Sequence, residues 1–452
     1  MRTRKLDAVP DDLAHWAARE SPFSIAFLDG DGRSPAGRFS FLGLDPVETL
    51  TASPDDPFAL FDLLDGATPD ATNEPLLPGL DRGDVPRWIG AIAYDLAWLA
   101  GRSLGLRDGP HLPRTSGPGA APPALFHRFD ALVVADRETG AVMLLGESER
   151  AIERLASRLR ALEAGAPARA CVNRVDVEPR EVHARAIEQA LVSIADGDVY
   201  QINLARRWHA RIEGSAHRGR ALAAAMRAAS PVPYGALIEH AELCLVGRTM
   251  ERFLRWDRRT GLLETRPIKG TIARDAPAQD AARRDALLSD AKERAEHAMI
   301  VDLMRNDLGR VAAMGTVEVA RVFEVEPYAH LSHLVSTVRA RSGEGVTLRA
   351  VLEATFPPGS VTGTPKLRAM ERIEALERFP RAFYCGAIGH VDRRGGCSLA
   401  VSIRTAQVTG EEVTYFAGGG IVDASIVSKE LDETELKARV FLDAADALAS
   451  GV

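Results

Sequence analysis

The chain is organised around residues 264–271, which read Glu264-Thr265-Arg266-Pro267-Ile268-Lys269-Gly270-Thr271. A proline fixes the backbone shortly before the lysine, and a glycine follows the lysine directly. In such a setting a side chain can face a cleft, and the backbone can approach a ligand closely. An arbitrary lysine is usually a surface residue, so Lys269 becomes a candidate only if other chemistry-bearing residues accompany it.

Composition limits the classes of protein to consider. The 452 residues suffice for a large core or for more than one domain, and the formal net charge of -7 argues against a non-specific nucleic-acid binder. We find no run of about 18 apolar residues, so no membrane span is predicted. The N-terminal residues lack the apolar core of a secretion signal. The 4 cysteines have neither zinc-type nor disulfide-framework spacing, which predicts a reduced, cytoplasmic protein.

Hydrophobic patterning predicts hairpins and helices that alternate without the regular βαβ rhythm of a parallel sheet. Residues 131–136 and 141–146 form one hairpin pattern, and residues 147–163 carry an apolar stripe at helical spacing. Other segments are predicted as strands at 88–96, 199–204, 398–407 and 413–417, and as a closing helix at 429–448. The fold class is therefore α+β, with mainly antiparallel β-sheets packed together and flanking helices.

A composition change divides the chain. Residues 164–168, Ala-Gly-Ala-Pro-Ala, are the best linker candidate, and charged residues follow them. We therefore predict an N-terminal region over residues 1–165 and a second domain over residues 175–448.

Three glutamates are candidate metal ligands. Glu430 and Glu433 are three residues apart on the closing helix, so their carboxylates point the same way, as Mg²⁺ ligands would. The alternative is an ordinary acidic helix start, which is favourable without any metal. Glu296 lies in an amphipathic helical pattern, where a solvated face is the ordinary alternative.

A second group could hold an anionic substrate. Arg404 falls inside the strand-like run 401–406, where a buried charge needs a partner, either a ligand carboxylate or an internal acid. Gly418 to Gly420 follow a strand and offer bare amides to an anion, although a tight turn would also use glycine. His333 could transfer protons or could be a satisfied structural histidine.

Four stretches taken together resemble the chorismate-utilising enzymes, and their order and spacing match over roughly residues 178 to 446. The stretches are Arg266-Pro267-Ile268-Lys269-Gly270-Thr271, the run 295–310 beginning Ala295-Glu296-His297, the run 356–366 ending Gly363-Thr364-Pro365-Lys366, and Glu430-Leu431-Asp432-Glu433-Thr434.

The resemblance implies an activity. A lysine at position 269 is typical of the aminodeoxychorismate synthases, whereas large subunits of anthranilate synthases usually carry alanine there. Conversion of chorismate and ammonia to 4-amino-4-deoxychorismate, the precursor of p-aminobenzoate and folate, is therefore expected. A separate glutamine amidotransferase subunit would supply the ammonia. Anthranilate synthase, an isochorismate-forming enzyme and a non-catalytic amidotransferase-binding scaffold are the alternatives.

The resemblance also implies residue roles. Lys269 would be the nucleophile at ring C2, and Glu251 the acid that helps the C4 hydroxyl leave. Mg²⁺ would be held by Glu296, Glu430 and Glu433. The remaining implied residues would line or adjoin the chorismate site, and they are Gly270, Thr271, His333, Thr362, Tyr384, Arg404, Gly418, Gly419 and Gly420.

Overall fold

A computed structural model describes residues 1–6, 12–68, 71–99, 121–273, 284–285, 288–327 and 331–450. Two large β-sheets dominate it, and every strand pair within them is antiparallel. The predicted α+β class with antiparallel sheets and flanking helices is confirmed. We number strands and helices in chain order.

The first sheet has 12 strands and runs in the order β1-β10-β9-β3-β2-β13-β14-β23-β24-β12-β11, with β20 paired to β12. Its strands are β1 (Arg2–Lys5), β2 (Ile25–Asp29), β3 (Phe39–Leu44), β9 (Ala131–Asp136), β10 (Val142–Gly146), β11 (Ala170–Val177), β12 (Gln201–Gly214), β13 (Tyr234–His240), β14 (Leu243–Thr249), β20 (Gly363–Thr364), β23 (Thr405–Thr409) and β24 (Glu412–Ile421).

The second sheet has 10 strands in the order β17-β19-β16-β15-β22-β21-β7-β8-β4, with β18 paired to β19. Its strands are β4 (Glu48–Thr51), β7 (Pro86–Ile92), β8 (Ala124–Arg128), β15 (Arg252–Asp257), β16 (Leu262–Arg266), β17 (Ile268–Ala273), β18 (Glu318–Pro327), β19 (Leu331–Arg341), β21 (Ala387–Asp392) and β22 (Cys397–Val401). A small ribbon pairs β5 (Pro75–Leu77) with β6 (Leu80–Asp81).

Helices flank the sheets. They are α1 (Ala14–Ala17), α2 (Ala59–Leu64), α3 (Glu149–Ala164), α4 (Arg180–Ala195), α5 (Arg218–Ala229), α6 (Ala291–Gly309), α7 (Leu348–Thr355), α8 (Lys366–Leu376) and α9 (Val427–Ala449), with short 3₁₀ turns at Pro35–Gly37, Arg82–Asp84 and Gly359–Val361. Among the helices that the structure describes, none combines the length and apolar character that a membrane crossing requires.

The two sheets pack face to face, and the apolar core continues beneath the helices. Ile89 and Ala91 of β7 pack with Ile238 and Leu245 of the first sheet, whereas Trp88 lies in the cluster on the opposite face. This is the alternation expected of a strand whose two faces are both buried. The predicted stripe of α3 is likewise buried against the first sheet.

Sequence segments on both sides of the predicted linker contribute to both sheets. Ala26 of β2 lies opposite Ile238 of β13, and Ile89 of β7 lies opposite His390 of β21. The division at residues 165–175 therefore stays a prediction about the sequence, while hydrogen-bonded strand pairs join the two parts.

The strand predicted over residues 398–407 is wrong in one respect. The structure divides it into β22 of the second sheet and β23 of the first sheet, with a non-strand crossing at 402–404. The apolar pattern continues across the break because the crossing passes between two buried sheets. Arg404 therefore lies at a sheet crossing and not within a strand.

Candidate active site

Lys269 extends from β17 of the second sheet towards β24 of the first sheet. Its backbone lies opposite Leu334 of β19. A Cβ atom added to Gly420 would lie 2.6 Å from the Lys269 Nζ and 2.9 Å from the Gln201 Nε2. The amine is therefore beside the glycine run, between an edge strand of one sheet and an inner strand of the other.

Gln201 is a site residue that the sequence interpretation missed. Its side chain is fully buried, and neither its amide oxygen nor its amide nitrogen has a hydrogen-bond partner among the described residues. Leaving a buried amide unpaired costs about 1–3 kcal/mol, so this amide is available to pair with a bound molecule. The signal was present in the sequence, because Gln201 is a polar residue in the otherwise apolar start of a predicted strand.

Each glycine of the run 418–420 makes room for a different neighbour. A Cβ on Gly418 would lie 2.3 Å from the Leu204 carbonyl oxygen, so the close approach of β12 requires glycine. A Cβ on Gly419 would lie 3.2 Å from a Glu430 carboxylate oxygen and 3.6 Å from one of Glu433. The run is thus a bare strand surface bordered by two carboxylates and an amine.

The carboxylates of Glu430 and Glu433 lie together at Gly419, as their helical spacing predicted. Glu430 is buried, whereas Glu433 is partly exposed and forms an ion pair with Lys437. The Lys437 ammonium also donates to the Gly418 carbonyl oxygen at 2.8 Å. Burial opposes ionisation of Glu433, but Lys437, followed by Lys269 and Arg404, lowers the pKa of its carboxyl. Glu433 is therefore ionised at neutral pH and could offer an oxygen ligand.

These residues fit a magnesium ion that retains other ligands. Glu296 is on α6, which packs against β17 and β19. Within the described ranges, no group of three His, Cys, Asp or Glu side chains is close enough to hold a metal ion. Mg²⁺ commonly uses one or two protein carboxylates together with water and substrate oxygens, which the Glu430 and Glu433 pair can provide.

Glu251 is a buried carboxyl directed at the same site. It lies between β14 and β15, where the chain passes from the first sheet to the second. Burial raises the pKa of Glu251 to about 7, although the Ser360 hydroxyl, the Lys269 ammonium and the Ile268 N–H favour its ionised form. A carboxyl with this pKa can hold a proton near neutral pH and donate it.

Arg404 and His333 lie close to these groups. Arg404 adopts a left-handed backbone with a φ of 51°. Its guanidinium is close enough to lower the pKa of the Glu433 carboxyl. Burial, followed by Arg404, lowers the pKa of His333 to about 4. The neutral imidazole can donate from Nδ1 to the Gly270 carbonyl oxygen, 3.4 Å away.

The remaining predicted residues lie on β17, directly after the 3₁₀ turn Gly359–Val361, and shortly before β21. Gly270 has a φ of 71°, and Thr271 lies opposite His333 in the β17–β19 register. The Thr362 hydroxyl donates to the Gly359 carbonyl oxygen at 3.1 Å, so its proton is used in a hydrogen bond within its own loop. Tyr384 is buried, and its ring stacks on Phe416 at 5.2 Å.

Comparison with known proteins relates this chain to one family. The family model described as chorismate binding enzyme matches residues 28–443. The chain is 34% identical to anthranilate synthase component 1 1 of Halobacterium salinarum, over 91% of this chain and 83% of the relative. It is 33% identical to aminodeoxychorismate synthase component 1 of Salmonella typhimurium, over 94% of each. The crystal structure of anthranilate synthase component I from Streptococcus pneumoniae matches with a TM-score of 0.75 and 28% identity, covering 90% of this chain and 93% of that one.

Proposed function

Because this chain belongs to the family of chorismate-binding enzymes, we propose that it converts chorismate and ammonia to 4-amino-4-deoxychorismate. The observation that carries the proposal is the position of the Lys269 amine, beside Gly420, Gln201 and the Glu430 and Glu433 carboxylates. Relatives named for aminodeoxychorismate synthesis and for anthranilate synthesis are about equally similar. The choice between them therefore rests on this amine.

The proposed reaction proceeds in two balanced steps. The unprotonated amine of Lys269 attacks ring C2, the ring double bonds shift, and the C4 hydroxyl leaves as water with the proton of Glu251. Ammonia then adds at C4, the bond between C2 and the lysine nitrogen breaks, and the free amine returns. The surplus proton of the incoming ammonia restores Glu251.

Other residues would bind and orient the substrate. Chorismate carries two carboxylates, and Arg404 together with the bare amides of the glycine run can offset one of them. Magnesium, when held by Glu430 and Glu433, would supply a positive charge for the other. The Gln201 amide can hydrogen-bond to substrate or to the incoming nucleophile, which would satisfy its two buried polar atoms.

The Gln201 amide also bears on the isochorismate-forming alternative. That reaction places water on C2, so it needs a base close to C2 to remove a proton from the water. An amide side chain does not gain or lose a proton near neutral pH, so Gln201 cannot be this base. Lys269 would be the available base, but in the proposed reaction it is itself the nucleophile.

A product assay distinguishes the enzymatic alternatives. The purified chain is incubated with chorismate, Mg²⁺ and an ammonium salt, and the products are separated before and after addition of an aminodeoxychorismate lyase. We expect p-aminobenzoate only after the lyase is added. Anthranilate without the lyase would refute the proposal, and isochorismate would favour the third alternative.

The nucleophile is tested independently by the substitution Lys269→Ala. Chorismate without ammonia is expected to add a stable mass to the native chain and none to the variant, because the amine is the attacking group. Lys437→Ala is the matched control, since it removes a second amine that borders the same glycine run. An adduct that survives Lys269→Ala would place the nucleophile elsewhere.

The partner and the compartment are also proposals. Relatives named component 1 support a second subunit, and a glutamine amidotransferase would supply the ammonia. The 4 cysteines are free, which supports a reducing cytoplasm. A non-catalytic scaffold predicts partner binding without chorismate turnover at any ammonium concentration, so the product assay tests it too.

A further inference from the structure

A buried ion pair joins two segments that border the candidate active site. The side chains of Arg381 and Glu377 are 2% and 4% exposed. Arg381 donates from Nε and from one terminal nitrogen to the two Glu377 oxygens, at 2.9 and 2.6 Å. Such a two-point contact fixes the orientation of both groups.

The remaining hydrogen bonds of the pair reach main-chain atoms. Arg381 donates to the Val361 carbonyl oxygen at 3.1 Å and to the Asn203 carbonyl oxygen at 2.7 Å. Glu377 accepts from the Ala205 N–H at 2.9 Å. One ion pair therefore connects the 3₁₀ turn Gly359–Val361 to strand β12.

Both connected segments carry site residues. The turn contains Ser360, whose hydroxyl lies near enough to Glu251 to favour its carboxylate form. Strand β12 begins at Gln201 and pairs with the glycine run, with Asn203 opposite Gly420. A change in the distance between turn and strand would move the Ser360 hydroxyl relative to Glu251 and the Gln201 amide.

We propose that Arg381 and Glu377 are positioning residues, which hold the Ser360 turn against β12 and thereby set the position of the Ser360 hydroxyl relative to Glu251. This inference rests on the proposed function only in taking Glu251 as the proton donor. Neither residue contacts Glu251 in the described structure; each acts through main-chain atoms.

The chain offers a matched control for a purely structural role. Arg220 and Glu239 form a second buried pair, with side chains 0% and 11% exposed and contacts of 2.9 and 2.7 Å. Arg220 also donates to main-chain carbonyl oxygens, and Glu239 also accepts from a main-chain N–H. This pair joins α5, β13 and the segment before β2, and none of its contacts includes a predicted site residue.

The direction of the expected effect follows from the groups around Glu251. The Ser360 hydroxyl favours the carboxylate form of Glu251, as do the Lys269 and Lys437 ammonium groups and the Ile268 N–H. The Cys385 thiol also lies within electrostatic reach of Glu251. Loss of the Ser360 hydroxyl alone raises the pKa of Glu251. The alkaline limb of kcat/KM, where the acid loses its proton, then moves to higher pH.

The experiment compares Arg381→Lys, Arg220→Lys and Ser360→Ala in the full chain, with chorismate consumption as the rate. Arg381→Lys and Ser360→Ala are expected to move the alkaline limb upward by about one pH unit and to lower kcat/KM about tenfold. The double variant Arg381→Lys/Ser360→Ala should show no larger shift of the alkaline limb than either single variant. Arg220→Lys should lower Tm as Arg381→Lys does and leave the limb in place.

A second substitution and a second readout keep the test decisive. If Arg381→Lys does not fold, Glu377→Gln takes its place, because glutamine retains an acceptor for the Ala205 N–H. Glu239→Gln is its control. Carboxyl NMR titration, with Glu251 assigned from Glu251→Gln, measures the pKa shift without turnover. An unmoved Glu251 pKa in Glu377→Gln, or an equal shift in Glu239→Gln, would overturn the inference, whereas the product assay judges the proposed function separately.

Discussion

Replacing Gly420 by alanine should remove most of the activity while leaving the fold intact. Gly420 has no left-handed backbone, so alanine can adopt its conformation. The new methyl group would lie 2.6 Å from the Lys269 Nζ and 2.9 Å from the Gln201 Nε2, whereas ordinary contacts begin at 3.4 Å. The clash therefore falls on the two side chains that the proposed chemistry needs.

The magnitude follows from the displacement. The Lys269 amine must retreat by roughly 0.8 Å to reach an ordinary contact distance, and a misplacement of about 1 Å can cost about 10²-fold in rate. Both displaced groups end flexible side chains, so we expect the free energy of unfolding to change by about 1 kcal/mol or less. Reduced backbone entropy of the unfolded chain offsets part of that loss.

The assay measures kcat/KM at saturating ammonium, together with the chorismate adduct by intact mass and Tm. Gly247→Ala, in the same sheet as Gly420, is the matched control, because the atom nearest to a Cβ there would lie 3.4 Å away. We expect a roughly 10²-fold loss and a diminished adduct in Gly420→Ala alone. Activity within about twofold of the native chain would refute the position assigned to Lys269.

Three further predictions follow from the other charged groups. Glu251→Gln should lower kcat/KM by about 10²–10⁴-fold. The kcat/KM of the native chain should fall as pH rises through the Glu251 pKa of about 7, because the donor loses its proton. An alkaline limb that is unchanged in Glu251→Gln contradicts this assignment. Glu433→Gln should raise the Mg²⁺ concentration for half-maximal rate at least roughly tenfold, whereas Glu435→Gln on the same helix should not; equal Mg²⁺ titrations remove Glu433 as a ligand. Arg404 and Ala241 both have left-handed backbones, with φ of 51° and 49°, so Arg404→Gly and Ala241→Gly should each keep or slightly raise Tm. Only Arg404→Gly should lose chorismate affinity, and unaltered affinity in that variant contradicts the role of the guanidinium.

Local patterns predicted the elements whose formation depends on local spacing. The stripe of α3, from Ile152 to Leu162, is buried as its helical period requires, and Ser148 caps the first turn by accepting from the Ala151 N–H. The positions of Glu430 and Glu433 on one helical face also follow from spacing alone. These features need no knowledge of the rest of the chain.

Features that depend on distant partners were not accessible in the same way. Residues 398–407 show one continuous apolar pattern, yet their two halves belong to different sheets, because pairing partners and not local propensity decide the sheet. The sequence marks Gln201 only as a polar residue in an apolar run, and the approach of β17 to β24 brings its amide to Gly420 together with the Lys269 amine. The raised pKa of Glu251 depends on its burial by segments far away in the sequence.

The sheet crossings explain why the polar groups of the site can exist within a large apolar core. The chain passes from the first sheet to the second at Glu251, between β14 and β15, and from the second sheet to the first at Arg404, between β22 and β23. The two crossings are neighbours, because the Arg248 N–H donates to the Arg404 carbonyl oxygen at 3.0 Å and the Val401 N–H donates to the Glu251 carbonyl oxygen at 2.9 Å. These bonds satisfy main-chain groups that have no partner in the regular strand pairing of either sheet at this point. The backbones that carry the Glu251 carboxyl and the Arg404 guanidinium are thereby held close together, which is the pre-organisation that the proposed catalysis requires.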